Sequence, residues 1–212
     1  MVDILDTYTF DILDNYIFNI DSIDLSNKKL SKLPDLTRFT KLKVLYCSHN
    51  LLTELSNLPE SLTELYCINN LLTELNNLPN TLTKLDCTSN QLLELNKLPN
   101  TITILYCSNN LLIKLHNLPE SLIKLECNNN KLTELNNLPK TLTKLNCGHN
   151  QLIELSNLPN TLTMLDCSFN QLTELSNLPD KLSQLHCSYN KLTELNNLPN
   201  TLTVLFCIKK VR

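Results

Sequence analysis

The 212-residue chain has no Ala, no Trp, a single Gly (Gly148) and no apolar run long enough to cross a membrane. Each of these gaps excludes something. With one glycine there is no Gly-rich loop of the kind that cradles phosphates. A membrane-spanning helix needs about 20 consecutive apolar residues, and here a polar residue interrupts every few positions, so no membrane partner is expected. The start, Met1 to Asp6, lacks a basic n-region, an apolar h-region and a small-residue cleavage site, which predicts a cytoplasmic protein. No Asn-x-Ser/Thr acceptor occurs despite abundant Asn. Charge is nearly balanced, with 18 Lys and Arg against 21 Asp and Glu, so no basic excess is available to neutralise a nucleic-acid backbone. Nucleic acid is therefore not expected as a partner.

What is present is repetition. About a quarter of all residues are Leu, and the nine Cys stand at Cys47, Cys67, Cys87, Cys107, Cys127, Cys147, Cys167, Cys187 and Cys207, a constant step of twenty. The unit L-x-x-L-x-C-x-x-N-x-L-x-x-L-x-x-L-P-x-x begins at Leu42 and recurs to the end, with a divergent copy over 20–41 that places Ile23 and Leu25 in the strand slots. Leu-x-Cys alternation at period two predicts a short strand with Leu and Cys on one buried face. Beyond the Asn, apolar residues three apart followed by Pro predict an extended or 3₁₀ return path with little α-helix. A unit this small buries its Leu side chains only by stacking on its neighbours.

The cysteine spacing fits neither a zinc site, which needs two ligands within a few residues, nor a disulfide framework. Neighbouring parallel strands lie about 4.8 Å apart, whereas bridged Cβ atoms prefer about 3.8 Å with converging directions. Nine free and mostly inaccessible thiols are expected, with no metal and no cofactor.

The motif L-x-x-L-x-C-x-x-N-x-L resembles the leucine-rich repeat signature over about nine-tenths of the chain, with Cys in a slot where Leu or Val is usual. The twenty-residue period and the Leu-Pro of each return segment are similar to the short repeats of bacterial type-III effectors of the YopM and IpaH kind. The Asn, Ile, Leu and Lys bias with absent Ala is what an AT-rich genome would encode, and the near-identical units resemble a product of a giant amoebal DNA virus. The resemblance implies an α/β repeat solenoid, a right-handed curved superhelix with a parallel sheet on its concave side. It also implies an Asn ladder, here Asn50, Asn70, Asn90, Asn110, Asn130, Asn150, Asn170 and Asn190, with Lys28 and Lys210 at the equivalent places in the terminal units. The domains expected are an N-terminal cap over 1–19, amphipathic and partly helical, and a repeat domain over 20–212.

Packing claims the inward positions, so specificity is expected on the outward strand residues, which vary from copy to copy. Tyr46, Tyr66 and Tyr106 supply rigid contact area with a polar tip, and Phe169, His186 and Tyr189 form a second cluster. Stacked aromatics that only stabilise adjacent strands are the competing account. In the last strand Val204, Phe206 and Ile208 make the outward face apolar, which points to a two-fold homodimer closing that edge. The four His (His49, His116, His149, His186) form no constellation with a nucleophile, so no enzyme is expected. The reading is a non-catalytic scaffold that binds an unidentified protein, of a host cell if the effector or viral resemblance holds. The alternative is an assembly protein using end-to-end contacts.

Overall fold

The twenty-residue period becomes one turn of chain. The computed structural model, which describes residues 19–208, holds ten three-residue strands: β1 (Ser22–Asp24), β2 (Val44–Tyr46), β3 (Glu64–Tyr66), β4 (Lys84–Asp86), β5 (Ile104–Tyr106), β6 (Lys124–Glu126), β7 (Lys144–Asn146), β8 (Met164–Asp166), β9 (Gln184–His186) and β10 (Val204–Phe206). They form one parallel sheet in chain order, each residue paired with the one a repeat later, as Leu65 with Leu85 and Leu85 with Leu105. Among the described residues there is no α-helix, and no helix is long and apolar enough to cross a membrane. The cap expected over 1–19 falls outside the described residues except for Asn19, as does Lys210.

From β2 on, each strand stops one residue short of its Cys, yet the Cys N–H carries the ladder on: Cys87 N–H donates to the Tyr106 carbonyl at 2.8 Å. From Cys47 to Cys187 the thiols are buried beside the central strand Leu residues, and Cys207 is half-buried. All nine are free. Burial pushes the Cys47 and Cys127 thiols up to about 12, and it likewise raises those of Cys67, Cys87, Cys107, Cys147 and Cys167 well above the usual thiol range. These are protonated, unreactive packing groups, and several donate weakly to the next rung, as Cys87 Sγ does to the Tyr106 carbonyl at 3.3 Å.

The ladder asparagines close the turn after each strand. Asn110 Nδ2 donates to the carbonyls of Cys87 (3.0 Å) and Cys107 (3.1 Å), and its Oδ1 accepts from Leu92 N–H at 3.0 Å. The same set recurs from Asn70 to Asn190, tying each unit to the one before. At the start, Asn50 Oδ1 accepts from both Lys28 and Leu30 N–H, so Lys28 stands in the ladder position without serving as a rung. No buried side-chain nitrogen or oxygen among the described residues lacks a partner, as burial of such groups requires.

The return path adds devices of its own. A single i+3 to i bond turns the chain after each Leu-Pro, as from Leu82 N–H to the Pro79 carbonyl at 3.1 Å; in the divergent first unit Phe39, fully buried, takes the Pro place and accepts from Leu42. Ahead of each Leu-Pro, Asn57, Asn77, Asn117, Asn137, Asn157, Asn177 and Asn197 adopt φ of 52–56°, a left-handed conformation that Asn tolerates better than most residues. Lys97 breaks this column and stays out of that region, and Leu98 beside it is only half-buried, whereas its counterparts Leu78 and Leu118 are buried.

Candidate partner-binding surface

A three-residue strand has two outward side chains and one inward, so the concave sheet carries two columns of variable residues. The column preceding Cys begins with Tyr46 and Tyr66, whose rings stack at 4.8 Å with 13° between planes. Tyr66 O–H donates to Glu64 Oε2 at 2.6 Å, and Lys84 Nζ lies 4.9 Å above the Tyr66 ring and 3.9 Å from Glu64. Burial and then the Glu64 bond push the Tyr66 phenol up, and the Tyr66 hydroxyl chiefly holds the Lys84 ammonium up.

Two rungs on, the motif repeats with its acid moved. Lys124 Nζ sits 4.7 Å over the Tyr106 ring, 3.1 Å from its hydroxyl and 2.7 Å from Glu126. Such pairs contribute roughly 0.5–1 kcal/mol each where water has access. They also fix the rings in place. Sequence reasoning treats the three Tyr as exposed neighbours, but Asp86 separates Tyr66 from Tyr106, and both of these are half-buried under lysines. Tyr46, at 38% exposure, is the most open of the three.

The second aromatic group divides into two columns. Phe169 and Tyr189 lie off the strands, on the turn just before the ladder Asn, where Phe169 stacks between His149 at 4.0 Å and Tyr189 at 4.3 Å. Their φ values are 55° and 56°, a region where a bulky residue costs about 1–2 kcal/mol. His186 belongs to the strand column instead, edge-on to Phe206 at 4.7 Å and 3.8 Å from Asp166. The cluster expected of Phe169, Tyr189 and His186 is thus not one stack, because the turn carries the first two off the sheet. Both columns nonetheless line one cleft of about 310 Å³, with Gly148, Asp166 and Ser168 between them. A second depression of about 230 Å³ on the sheet shares Asn146, Asp166 and His186 with it.

On the return side the Glu column is solvated, with one close pair: Lys114 lies 2.7 Å from Glu134 and holds its carboxyl below the usual range. Among the described residues no three His, Cys, Asp or Glu come together as a metal site. At the last strand, Leu205, Phe206 and Ile208 are 44%, 54% and 55% exposed, while Val204 is half-buried.

No family model matches the chain, and no curated protein does. Solved structures do. YopM from Yersinia enterocolitica is 41% identical over 85% of this chain and 40% of its own, with a TM-score of 0.81. The chain is a leucine-rich repeat solenoid. A second YopM structure, described as a leucine-rich effector protein from Yersinia pestis, is 34% identical over 89% of this chain and 60% of its own, with a TM-score of 0.80. The solenoid therefore spans less than two thirds of either YopM chain. A functional domain of InlJ from Listeria monocytogenes, described as including a cysteine ladder, is 28% identical over 90% of this chain and 53% of that one, with a TM-score of 0.61.

Proposed function

We propose that this leucine-rich repeat solenoid is a non-catalytic protein–protein interaction scaffold that engages a partner protein through its concave face, in the cytoplasm of a host cell. The observation that carries this reading is the contrast between the two sides of the strands. Inward, Leu and Cys repeat almost without change, whereas outward the residues vary and include the clamped array Tyr46, Tyr66, Glu64 and Lys84 followed by Tyr106, Lys124 and Glu126. Aromatic rings held by charged neighbours offer contact area that loses little conformational freedom on binding. The similarity to Yersinia effectors supports the host-cell setting.

Affinity purification from cells, with the Tyr46→Ala, Tyr66→Ala, Tyr106→Ala variant in parallel, tests it. Partners recovered by the parent and lost by the variant at an unchanged melting temperature support the reading. Equal recovery by a variant that melts lower assigns the rings to strand stabilisation and overturns it.

A second reading, a two-fold homodimer through the last strand, is favoured by the exposure of Phe206 and Ile208. Phe206→Lys followed by light scattering decides it. A dimeric parent and a monomeric variant support it, and a monomeric parent or a mass unaffected by the change removes it.

A further inference from the structure

The chain's one glycine lines the cleft between the aromatic columns, at a position that other units fill with Ser, Thr, Asn or Ile. Nothing in the backbone demands glycine there, because φ at Gly148 is not positive. What glycine provides is room beside acceptors. A Cβ at that point would lie 3.2 Å from the Ser168 carbonyl, 3.4 Å from Asp166 Oδ1 and 3.5 Å from Asn146 Oδ1. The Ser168 carbonyl is already taken by His149 N–H and Asn170 Nδ2, but Asp166 Oδ1 and Asn146 Oδ1 each accept a single backbone bond, from Ser168 and Gly148 N–H, and keep capacity for another donor.

Charge decides what fits. Asp166 is the sole Asp, Glu, Lys or Arg lining the cleft, and its Oδ2 is engaged only by the distant His186 Nδ1 at 3.8 Å. The stacked His149, Phe169 and Tyr189 line another side of the cleft, a wall suited to an alkyl stem. Phe169 and Tyr189 hold this wall at the positive φ that the residue before the ladder Asn takes in every unit from His49 on, where other units carry Asn69, Ser89, Asn109 and Asn129.

We propose that the Gly148 cleft receives a basic side chain of the partner protein, its alkyl stem along the stacked rings and its protonated nitrogen donating to Asp166 and Asn146 Oδ1. This rests on the scaffold reading and adds the chemistry of the partner: an exposed Lys or Arg enters at the Asp166 rung. Lys supplies three donors on a point charge and Arg a planar fork.

Nuclear magnetic resonance titration of the ¹⁵N-labelled chain at pH 7.5 with N-acetyl-lysine methylamide and N-acetyl-arginine methylamide tests the assignment, and the ε-acetylated lysine analogue serves as neutral control. At least one cationic probe is expected to give saturable shifts centred on the Gly148, Ser168 and Phe169 amides, the tighter one naming the side chain. Removing the probe charge or the Asp166→Asn change is expected to weaken binding about tenfold, as loss of a charged hydrogen bond does. Gly148→Ser, which takes up room in the cleft, is expected to weaken it by a similar factor. Absence of saturable shifts with both cations, equal binding of the neutral analogue, or unchanged binding by Asp166→Asn would overturn the proposal. The titration requires no partner protein. Probe failure with intact partner capture sinks the cleft alone, and probe binding without partner capture sinks the scaffold reading alone.

Discussion

Replacing Asn110 by Ala removes a complete rung from the middle of the ladder, and the cost follows from its bonds. Asn110 is 5% exposed, so water does not substitute for them. Leu92 N–H loses its Oδ1 acceptor and is left unpaired, which costs about 1–3 kcal/mol. The two Nδ2 hydrogens are shared among the Cys87, Cys107 and Ser108 carbonyls, which each retain a second donor: Asn90 Nδ2 at 3.1 Å, Asn130 Nδ2 at 3.0 Å and Ser89 N–H at 2.9 Å. Each lost bond there costs about 0.5–1.5 kcal/mol rather than a full desolvation penalty. The sum is roughly 2–6 kcal/mol, concentrated at one interface between units of a stack whose stability is built from such interfaces. Urea unfolding followed by circular dichroism, with exposed Asn100→Ala as control, measures it. A loss below about 1 kcal/mol, or one equal to the control, would refute the assignment of the ladder as the tie between turns.

The buried thiols predict a one-sided pH dependence. A thiol held protonated up to about 12, as at Cys47 and Cys127, binds its proton more tightly folded than unfolded, where about 8.5 is usual. Its contribution is complete below about pH 8.5 and is lost as pH rises toward 12, at up to about 1.4 kcal/mol per pH unit per thiol. Denaturant midpoints are therefore expected to be flat from pH 6 to 8 and to fall steeply above 9; Cys127→Ala lowers the whole curve but makes its alkaline limb shallower by one proton, and a flat limb in the parent would contradict the burial. Lys97→Asn restores the broken return column and is expected to bury Leu98 and raise stability by about 0.5 kcal/mol, read as a higher melting temperature. Asn117→Lys is expected to do the reverse, and equal effects of the two changes would show that the column carries no conformational preference.

The fold was largely legible because its determinants sit at fixed offsets. Leu-x-Cys alternation implied the strand through residue type and spacing alone, and the resemblance to leucine-rich repeats implied the ladder at Asn50 to Asn190. The left-handed Asn57 column was not read from the sequence, although Asn repeating just before Leu-Pro carried the signal. The hydroxyl columns were missed too: Thr81 Oγ1 lies 2.7 Å from both the Glu60 and Leu62 carbonyls, its one hydrogen available to either, and Thr101 and Thr141 sit the same way on their own preceding turns. For the surface, spacing identified which residues face outward but not how they pair. That Lys84 covers Tyr66, and that Phe169 leaves the sheet for the turn, depends on side-chain reach and on φ at one residue. Gly148 stood out as the sole glycine, yet its meaning appears only with Asp166 and Ser168 around it.

Thiol accessibility tests the stacked register most directly, because one slipped residue exchanges the inward Cys for the outward column. Native-state labelling with an aromatic disulfide reagent, followed by mass spectrometry, is expected to show Cys207 reacting first and Cys47 to Cys187 reacting only as fast as the solenoid opens. Rapid modification of several thiols in the folded protein, at positions from Cys67 to Cys167, would contradict the account.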